Sequence, residues 1–425
     1  MASEVSENVD IAIVGGGLVG SSLACALERA GLSVVLIEAA ETPEIPPGFD
    51  QRKLALAQRS IDALARLGVL PLLQAPPTAI RRIHVSRTGD FGRTLLDAAE
   101  FGHPAFGAVV LAQDLGLALA KRVSRLQQTR RICPARVSAC HFVAEGARLT
   151  LATAEGKKHL LARLVVAADG TDSCIRKAAG IATHTHDYGQ TLFVSSLRAD
   201  QVSDGTAYER FSGQGPVALL PMADGAYGAI CAVSTADASG IAKLEDAAYA
   251  DYFQSRFGWR VGKIRETGKC TIYPLKRVLA ERLHAPHAVL MGNAAQTIHP
   301  IGAQGFNLGL RDVAHLIDCL VQGDDPGADD VLARYTAARQ TDIRTRTFGV
   351  DLLEMADPKY TEAKTANPFF PSLNHGQRGN SDRRSVGNSG RQTRLGGCIR
   401  SWQTEAARQF TDFCFGEPRF HQWCK

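Results

Sequence analysis

The chain has 425 residues, 45% hydrophobic and 21% charged, an ordinary globular mixture that is too long for one typical domain. Its formal charge of +5 is modest and its basic residues are spread out, which argues against nucleic acid as a partner. Ten cysteines without a CxxC pair fit a reducing compartment. There is no secretory signal and no run near the roughly 20 apolar residues of a membrane span, so a cytoplasmic protein is expected, resting at most peripherally on the inner face of a membrane.

In chain order, "VDIAIVGGGLVGSSLACALERAGLSVVLIEAA" reads as a buried strand (9–14), a glycine turn, an amphipathic helix (about 18–30) closed by Gly31, and a second buried strand ending at Glu38. This is a βαβ unit, which demands a parallel sheet with a right-handed crossover. A proline-rich loop, "ETPEIPPGFD", follows, and then a helical stretch, "LALAQRSIDALARLGVL", that ends near Gly68. The pattern is mixed over 80–105 and helical over 111–126. "ARLVVAADG" (162–170) is a further apolar strand. From 183 to 285 short alternating segments such as "AYERFSGQGPVALLPM" predict an antiparallel sheet. "HAVLMGNAAQTIHP" returns to buried-strand texture, and a helix is expected over 306–321. From about Pro358 the chain is polar and rich in arginine and glycine, without a periodic apolar face. Cys414, His421 and Cys424 near its end lack paired ligand spacing, so no metal site is expected.

Gly15-x-Gly17-x-x-Gly20 sits between strand and helix, the context that makes this pattern informative. Gly15 permits the tight turn, Gly17 lets a pyrophosphate approach the backbone, and Gly20 lets the helix pack on the strand. Glu38 is placed to accept from ribose hydroxyls. This fingerprint serves FAD and NAD alike. Asp169-Gly170 and Gly292-Asn293, at the ends of two further strands, imply one site assembled from three distant pieces, the reach that an extended ligand such as FAD needs.

"GGGLVG", "ADGTDSCIR" and "GNAAQTIHPIGAQGFNLGLRD" together resemble the aromatic-ring flavoprotein monooxygenases, the p-hydroxybenzoate hydroxylase group. Within that group "FDQRKLALAQRSIDALARLGV" and "ERFSGQGPVALLPM" are similar to the ubiquinone-biosynthesis hydroxylases of the 2-polyprenyl-6-methoxyphenol hydroxylase type. The resemblance covers about residues 8–349. It implies an α/β fold: a Rossmann-like FAD-binding domain built from discontinuous segments, an inserted antiparallel-sheet substrate domain (α+β), and an irregular tail. The expected limits are 8–182 (with some substrate-domain elements near 75–108) and 286–349 for the FAD-binding domain, 183–285 for the substrate domain, and 350–425 for an atypical, poorly ordered polar tail. Relatives continue with apolar helices after "RTRT", so the tail points to an altered reading frame or an unrelated C-terminus.

The resemblance assigns Gly15, Gly17, Gly20 and Glu38 to the ADP moiety, Arg52 to the flavin region and Gln113 to the FAD phosphates and adenosine. It assigns Asp169, Gly170 and Arg176 to the motif serving FAD and the nicotinamide nucleotide, and Gly292 and Asn293 to the ribityl and pyrophosphate contact. Pro300, Gly302, Gln304, Gly305 and Asn307 would form the loop beside the isoalloxazine. Asn293 replaces a usual Asp and Ala303 a usual Gly; FAD binding should survive both. Pro300 is the leading candidate for the reacting ring and His299 the second, while Tyr208, Phe211, Pro221 and Met222 are substrate-wall candidates. The implied chemistry uses FAD, NAD(P)H and O₂ through a flavin hydroperoxide that hydroxylates a polyprenyl phenol. Proteins of a ubiquinone-biosynthesis complex are conceivable partners. Hydroxylation of a different phenol, or a flavin-binding subunit of low activity, are the competing readings.

Overall fold

Apolar runs without a polar face must be covered on both sides, the situation of strands in a parallel sheet. Glu7–Val14, Val34–Ile37 and the second half of Gly156–Ala167 are such runs. In the structure, a computed structural model describing residues 7–40, 52–89, 92–300 and 304–355, they lie side by side. The order is His284–Ala285, Ala288–Leu290, Gly156–Ala167, Glu7–Val14, Val34–Ile37, Thr129–Ile132, parallel from Ala288–Leu290 onward. Ile11, Ile13, Leu164, Val165 and Val289 have no exposed surface. Each such side chain contributes about 1.5–3 kcal/mol on burial. The helix Leu18–Ala26 covers the sheet and packs against Ala112–Val123 and Gln304–Val321.

Because these strands are parallel and adjacent, their carboxyl ends open on one edge, where ligands of such sheets bind. The three motifs follow those ends. Ala168 N donates to Val14 O (2.8 Å), Met291 N to Ala167 O (3.0 Å) and Gly15 N to Ile37 O (2.9 Å), so segments remote in sequence become neighbours there.

The second large sheet runs Gln296–Thr297, Thr271–Ala280, Thr183–Ala199, Tyr227–Ser234, Val217–Pro221, Thr206–Phe211, Arg82–Arg87, Thr94–Asp97. It departs from the expected antiparallel pattern at one joint, where Thr206–Phe211 runs parallel to Arg82–Arg87. The edge hairpin comes from an earlier part of the chain and is not tied to its neighbour by a tight turn, so its direction is free. The helix Asp246–Phe257, absent from the sequence reading, covers one face of this sheet through Tyr249, Phe253 and Phe257.

The helix expected over "LALAQRSIDALARLGVL" is two elements. Lys53–Ala57 is a strand paired with Gly107–Leu111, and only Gln58–Arg66 is helical. The apolar spacing in "LALA" suits either state, and the remote partner strand decides. The helix Asp329–Met355 packs on Gln304–Val321. Among the described residues no helix is long and apolar enough to cross a membrane. Of the tail expected over 350–425, residues 350–355 belong to the helix Asp329–Met355, and 356–425, like Gly302, lie outside the described residues.

Candidate functional site

The glycine turn separates two requirements. Gly15 has φ +104° and an added Cβ would lie 2.4 Å from Ala168 O; one on Gly20 would lie 1.9 Å from Gly15 O. Both glycines are demanded by the protein's own backbone. Gly17 differs, since a Cβ there would meet nothing within 4 Å and the residue lines a cavity. It is also the N-cap of the helix Leu18–Ala26 with no side chain capping the first turn. That leaves backbone N–H groups and the positive end of the helix dipole for an incoming anion. Glu38 accepts from Gly16 N (2.5 Å) and Ala40 N (2.7 Å), holding the turn while keeping lone pairs for a further donor.

The other two motifs are braced from behind. Asp169 Oδ2 accepts from Cys174 N (2.8 Å) at the start of the short helix Cys174–Ala178. Arg176 is buried and donates to Thr171 O (2.7 Å) and Ala294 O (2.8 Å), strapping the middle motif to the Gly292 turn. Gly292 N in turn donates to Asp312 Oδ2 (2.8 Å), which also accepts from Gln296 Nε2 (2.9 Å). Asp312 Oδ1 accepts from Arg339 Nε at 2.6 Å, and neither residue has exposed surface. Burial alone would push Arg339 down, but attraction to Asp312 and Asp342 outweighs it and holds the guanidinium charged.

Between the two sheets lies a cavity of about 510 Å³. One side is cofactor-like: Gly17, Gly170, Asn293, Pro300 and Gly305, with Arg52 and Lys53 also lining it. A Cβ on Gly170 or Gly305 would meet no protein atom within 4 Å. The other side is one face of the second sheet. Cross-strand register aligns Val194 with Ile230, Ile230 with Ala218, and Ala218 with Glu209 on this face, with Leu192 two residues from Val194 on the same face. Its surface is mostly apolar, with Tyr273 and Lys276 also lining it; its one carboxylate is Glu209, which makes no hydrogen bond or ion pair among the described residues. Burial pushes the Glu209 carboxyl up to about 8. An uncapped helix N-terminus, an open glycine floor and an amide at Asn293, leading to an apolar wall, fit an extended dinucleotide with a ring at its far end. FAD is such a group.

A family profile described as FAD binding domain matches residues 8–346. The chain belongs to this family. Ubiquinone hydroxylase UbiL of Rhodospirillum rubrum is 35% identical over 362 residues, covering 82% of this chain and 83% of the relative. The 3-demethoxyubiquinol 3-hydroxylase of Escherichia coli is 32% identical over 358 residues, covering 82% and 89%. The crystal structure of p-nitrophenol 4-monooxygenase PnpA from Pseudomonas putida matches with a TM-score of 0.66 at 19% identity, covering 85% of this chain and 91% of that one, which shows a shared fold. The chain is an FAD-dependent aromatic monooxygenase.

In this monooxygenase the assigned residues divide. Gly17, Arg52, Gly170, Asn293, Pro300 and Gly305 line the cavity; Gly15, Gly20, Asp169 and Gly292 shape turns behind it. Gln304 begins the helix Gln304–Val321. Gln113 lies in the first turn of Ala112–Val123, outside the cavity lining. Asn307 is turned away: it is buried, accepts from Ala57 N (3.1 Å) and Ser60 Oγ (2.7 Å) and donates to Ala55 O (3.0 Å), pinning its helix to the strand Lys53–Ala57. His299 does not line the cavity either. Its ring is 1% exposed, edge-on to Tyr188 at 5.0 Å, and burial pushes it down to about 3, so it stays neutral and packed.

Tyr208 contributes its strand to the cavity wall, but its ring packs on the opposite face with Tyr227 and Phe257 under the helix Asp246–Phe257. Phe211, Pro221 and Met222 are not part of the lining. The residues without a sequence assignment are Glu209 and Asp312. Glu209 carried one signal, a carboxylate inside an apolar alternating strand; Asp312 carried another, an acid on an otherwise apolar helix stripe. Asn293 is exposed and lines the cavity, and its side chain makes no hydrogen bond among the described residues, so Asn293→Asp should keep stoichiometric flavin. Flavin content of the purified variant measures this, and its loss would mean that charge at this position decides binding.

Proposed function

We propose that the monooxygenase hydroxylates the ring of a polyprenylated methoxyphenol in ubiquinone biosynthesis, with NAD(P)H and O₂ as co-substrates. The relatives' names, a ubiquinone hydroxylase and a 3-demethoxyubiquinol 3-hydroxylase, support a substrate among ubiquinone precursors. The observation that carries the reading is the cavity itself, which joins the cofactor turn at Gly17 to an apolar wall holding one carboxyl group. FAD, when bound along Gly17, Gly170, Asn293 and Gly305, supplies the oxygen-transfer chemistry. The protein's part is to hold the ring against Pro300, exclude water with Leu192, Val194, Leu220 and Ile230, and take a proton. A phenol becomes a better nucleophile toward electrophilic oxygen as its hydroxyl proton leaves. Glu209 receives that proton on a carboxylate oxygen, at a site whose affinity for protons burial has already raised. A prenyl tail partitions into lipid, so the reading also brings the protein against a membrane surface at least transiently. The test follows NADPH oxidation by the flavin-loaded protein with and without a prenylated methoxyphenol. Stimulation with a product heavier by one oxygen is expected, and unstimulated oxidation with unchanged phenol would overturn the reading.

Glu209→Gln should lower kcat about 10²-fold or more, the usual scale for a positioned proton acceptor. It should also remove the limb of the activity profile that rises through about pH 8, since only the ionised carboxylate accepts. The stability sign is opposite. Below the ordinary carboxyl range both folded and unfolded Glu209 are protonated; between there and about 8 the unfolded state has fewer protons, so folding stability falls with rising pH. Glu209→Gln should flatten that fall in thermal melts.

A further inference from the structure

The face of the second sheet away from the cavity carries a separate concentration of charge. Register places His84 opposite Tyr208 and Ser86 opposite Arg210 on this face, and the edge hairpin brings Arg93 beside them. The loop after the helix Asp246–Phe257 adds Arg260. A Cβ built on Gly258 would lie 3.7 Å from Arg210 Nη1 and 4.0 Å from Arg260 Nη1, so both guanidinium groups flank one point. Beneath them Phe257, Tyr208 and His84 form a chain of ring contacts at 5.7 and 5.4 Å.

Among the described residues none of these arginines has an acidic partner. Arg210 donates to Thr88 Oγ1 (3.2 Å), and Arg93 and Arg260 make no hydrogen bond among the described residues. Nearby acids are already engaged: Asp204 with Arg82, and Asp200 with Arg265 and Lys263 N. Guanidinium groups do not neutralise by losing a proton, so their mutual repulsion persists. Burial, then Arg210 and Arg93, push Arg260 down. Behind the arginines, His84 is 5% exposed and neither ring nitrogen has a partner among the described residues; Ser86 is 6% exposed and its hydroxyl has none there. Buried polar atoms are rarely left so, and two beside three uncompensated cations call for an anion with several acceptor oxygens.

We propose that Arg93, Arg210 and Arg260, with His84 and Ser86 behind them, bind a phosphate group on the face of the sheet opposite the cavity. The ligand class is a phosphate ester or free phosphate, whose oxygens accept from planar guanidinium forks and from the imidazole and hydroxyl donors. The site does not depend on how the cavity is read.

Trp259, 69% exposed and adjacent to Arg260, is a built-in reporter, assigned with a Trp259→Phe control because the chain has two other tryptophans. Inorganic phosphate titrated into the holoenzyme should change its fluorescence saturably, beyond the effect of chloride at equal ionic strength. The Arg210→Gln/Arg260→Gln variant, its flavin absorbance confirming the fold, should bind at least tenfold more weakly. In phosphate-free buffer that variant should melt higher than the wild type, because repulsion is relieved, and phosphate should raise only the wild-type Tm. Vesicles of phosphatidylglycerol against phosphatidylcholine, and NADPH against NADH, then assign the source of the phosphate group. A response equal to that of chloride, or one retained by the double variant, would show a merely solvated patch and overturn the proposal.

Discussion

Gly17→Val yields a folded protein that is colourless as purified. The expectation rests on the contrast within one turn. A side chain at Gly17 meets no protein atom, whereas one at Gly20 would run into Gly15 O at 1.9 Å. Valine at 17 therefore projects into the cavity, over the uncapped N–H groups of the helix Leu18–Ala26, without disturbing the strand beneath. Flavin affinity should fall at least about 100-fold, roughly 2.7 kcal/mol at about 1.4 kcal/mol per tenfold. The melting curve without added flavin should match that of wild-type apoprotein. Gly20→Ala should instead lose flavin and fold together. Absorbance in the flavin band and circular-dichroism melts separate the two, and stoichiometric flavin in Gly17→Val would show that the pyrophosphate does not cross this turn.

The second large effect is expected far from any ligand. Asp312 receives Gly292 N, Gln296 Nε2 and Arg339 Nε in a region without solvent. Asp312→Ala leaves the Arg339 guanidinium with Asp342 alone and leaves the Gly292 and Gln296 donors unmet. Removing one member of a buried pair costs about 3–5 kcal/mol, much of it the stranded charge. Chemical denaturation should show a loss on that scale. Because Gly292 begins the turn that carries Asn293, flavin affinity should weaken as well, and Asp312→Asn, which still accepts from Gly292, should recover part of it. Stability unchanged in Asp312→Ala would refute the pairing.

What could be read from residues alone follows from which physics is local. The turn at Gly15, Gly17 and Gly20 was legible because strand, turn and helix are consecutive and each glycine answers a nearby steric demand. That Asp169 and Gly292 end apolar strands was legible for the same reason. Local pattern could not give the phase of the strand Thr206–Phe211. Alternation says that Tyr208 and Glu209 face opposite ways, but which way depends on the helix Asp246–Phe257 covering the Tyr208 side. The aromatic residue was the natural choice for a substrate wall, and the carboxylate one position on faces the cavity. "LALA" is a similar case, strand rather than helix because Gly107–Leu111 lies beside it. His299 lies just before the flavin-loop motif and Asn307 at its end, yet both point into protein. Nearness along the chain does not fix the orientation of a side chain.

The meeting of three strand ends also bears on how the protein survives without its cofactor. Gly15, Asp169 and Gly292 belong to segments remote in sequence, held together by the parallel pairing, a few backbone hydrogen bonds and the side chains of Arg176 and Asp312. A ligand spanning all three acts as a clasp across long chain closures in the fold. Stabilisation then grows with the logarithm of free flavin over its dissociation constant, about 2.7 kcal/mol at a hundredfold excess. Cellular abundance of the protein should accordingly rise and fall with riboflavin supply, a dependence set by topology rather than by any regulator.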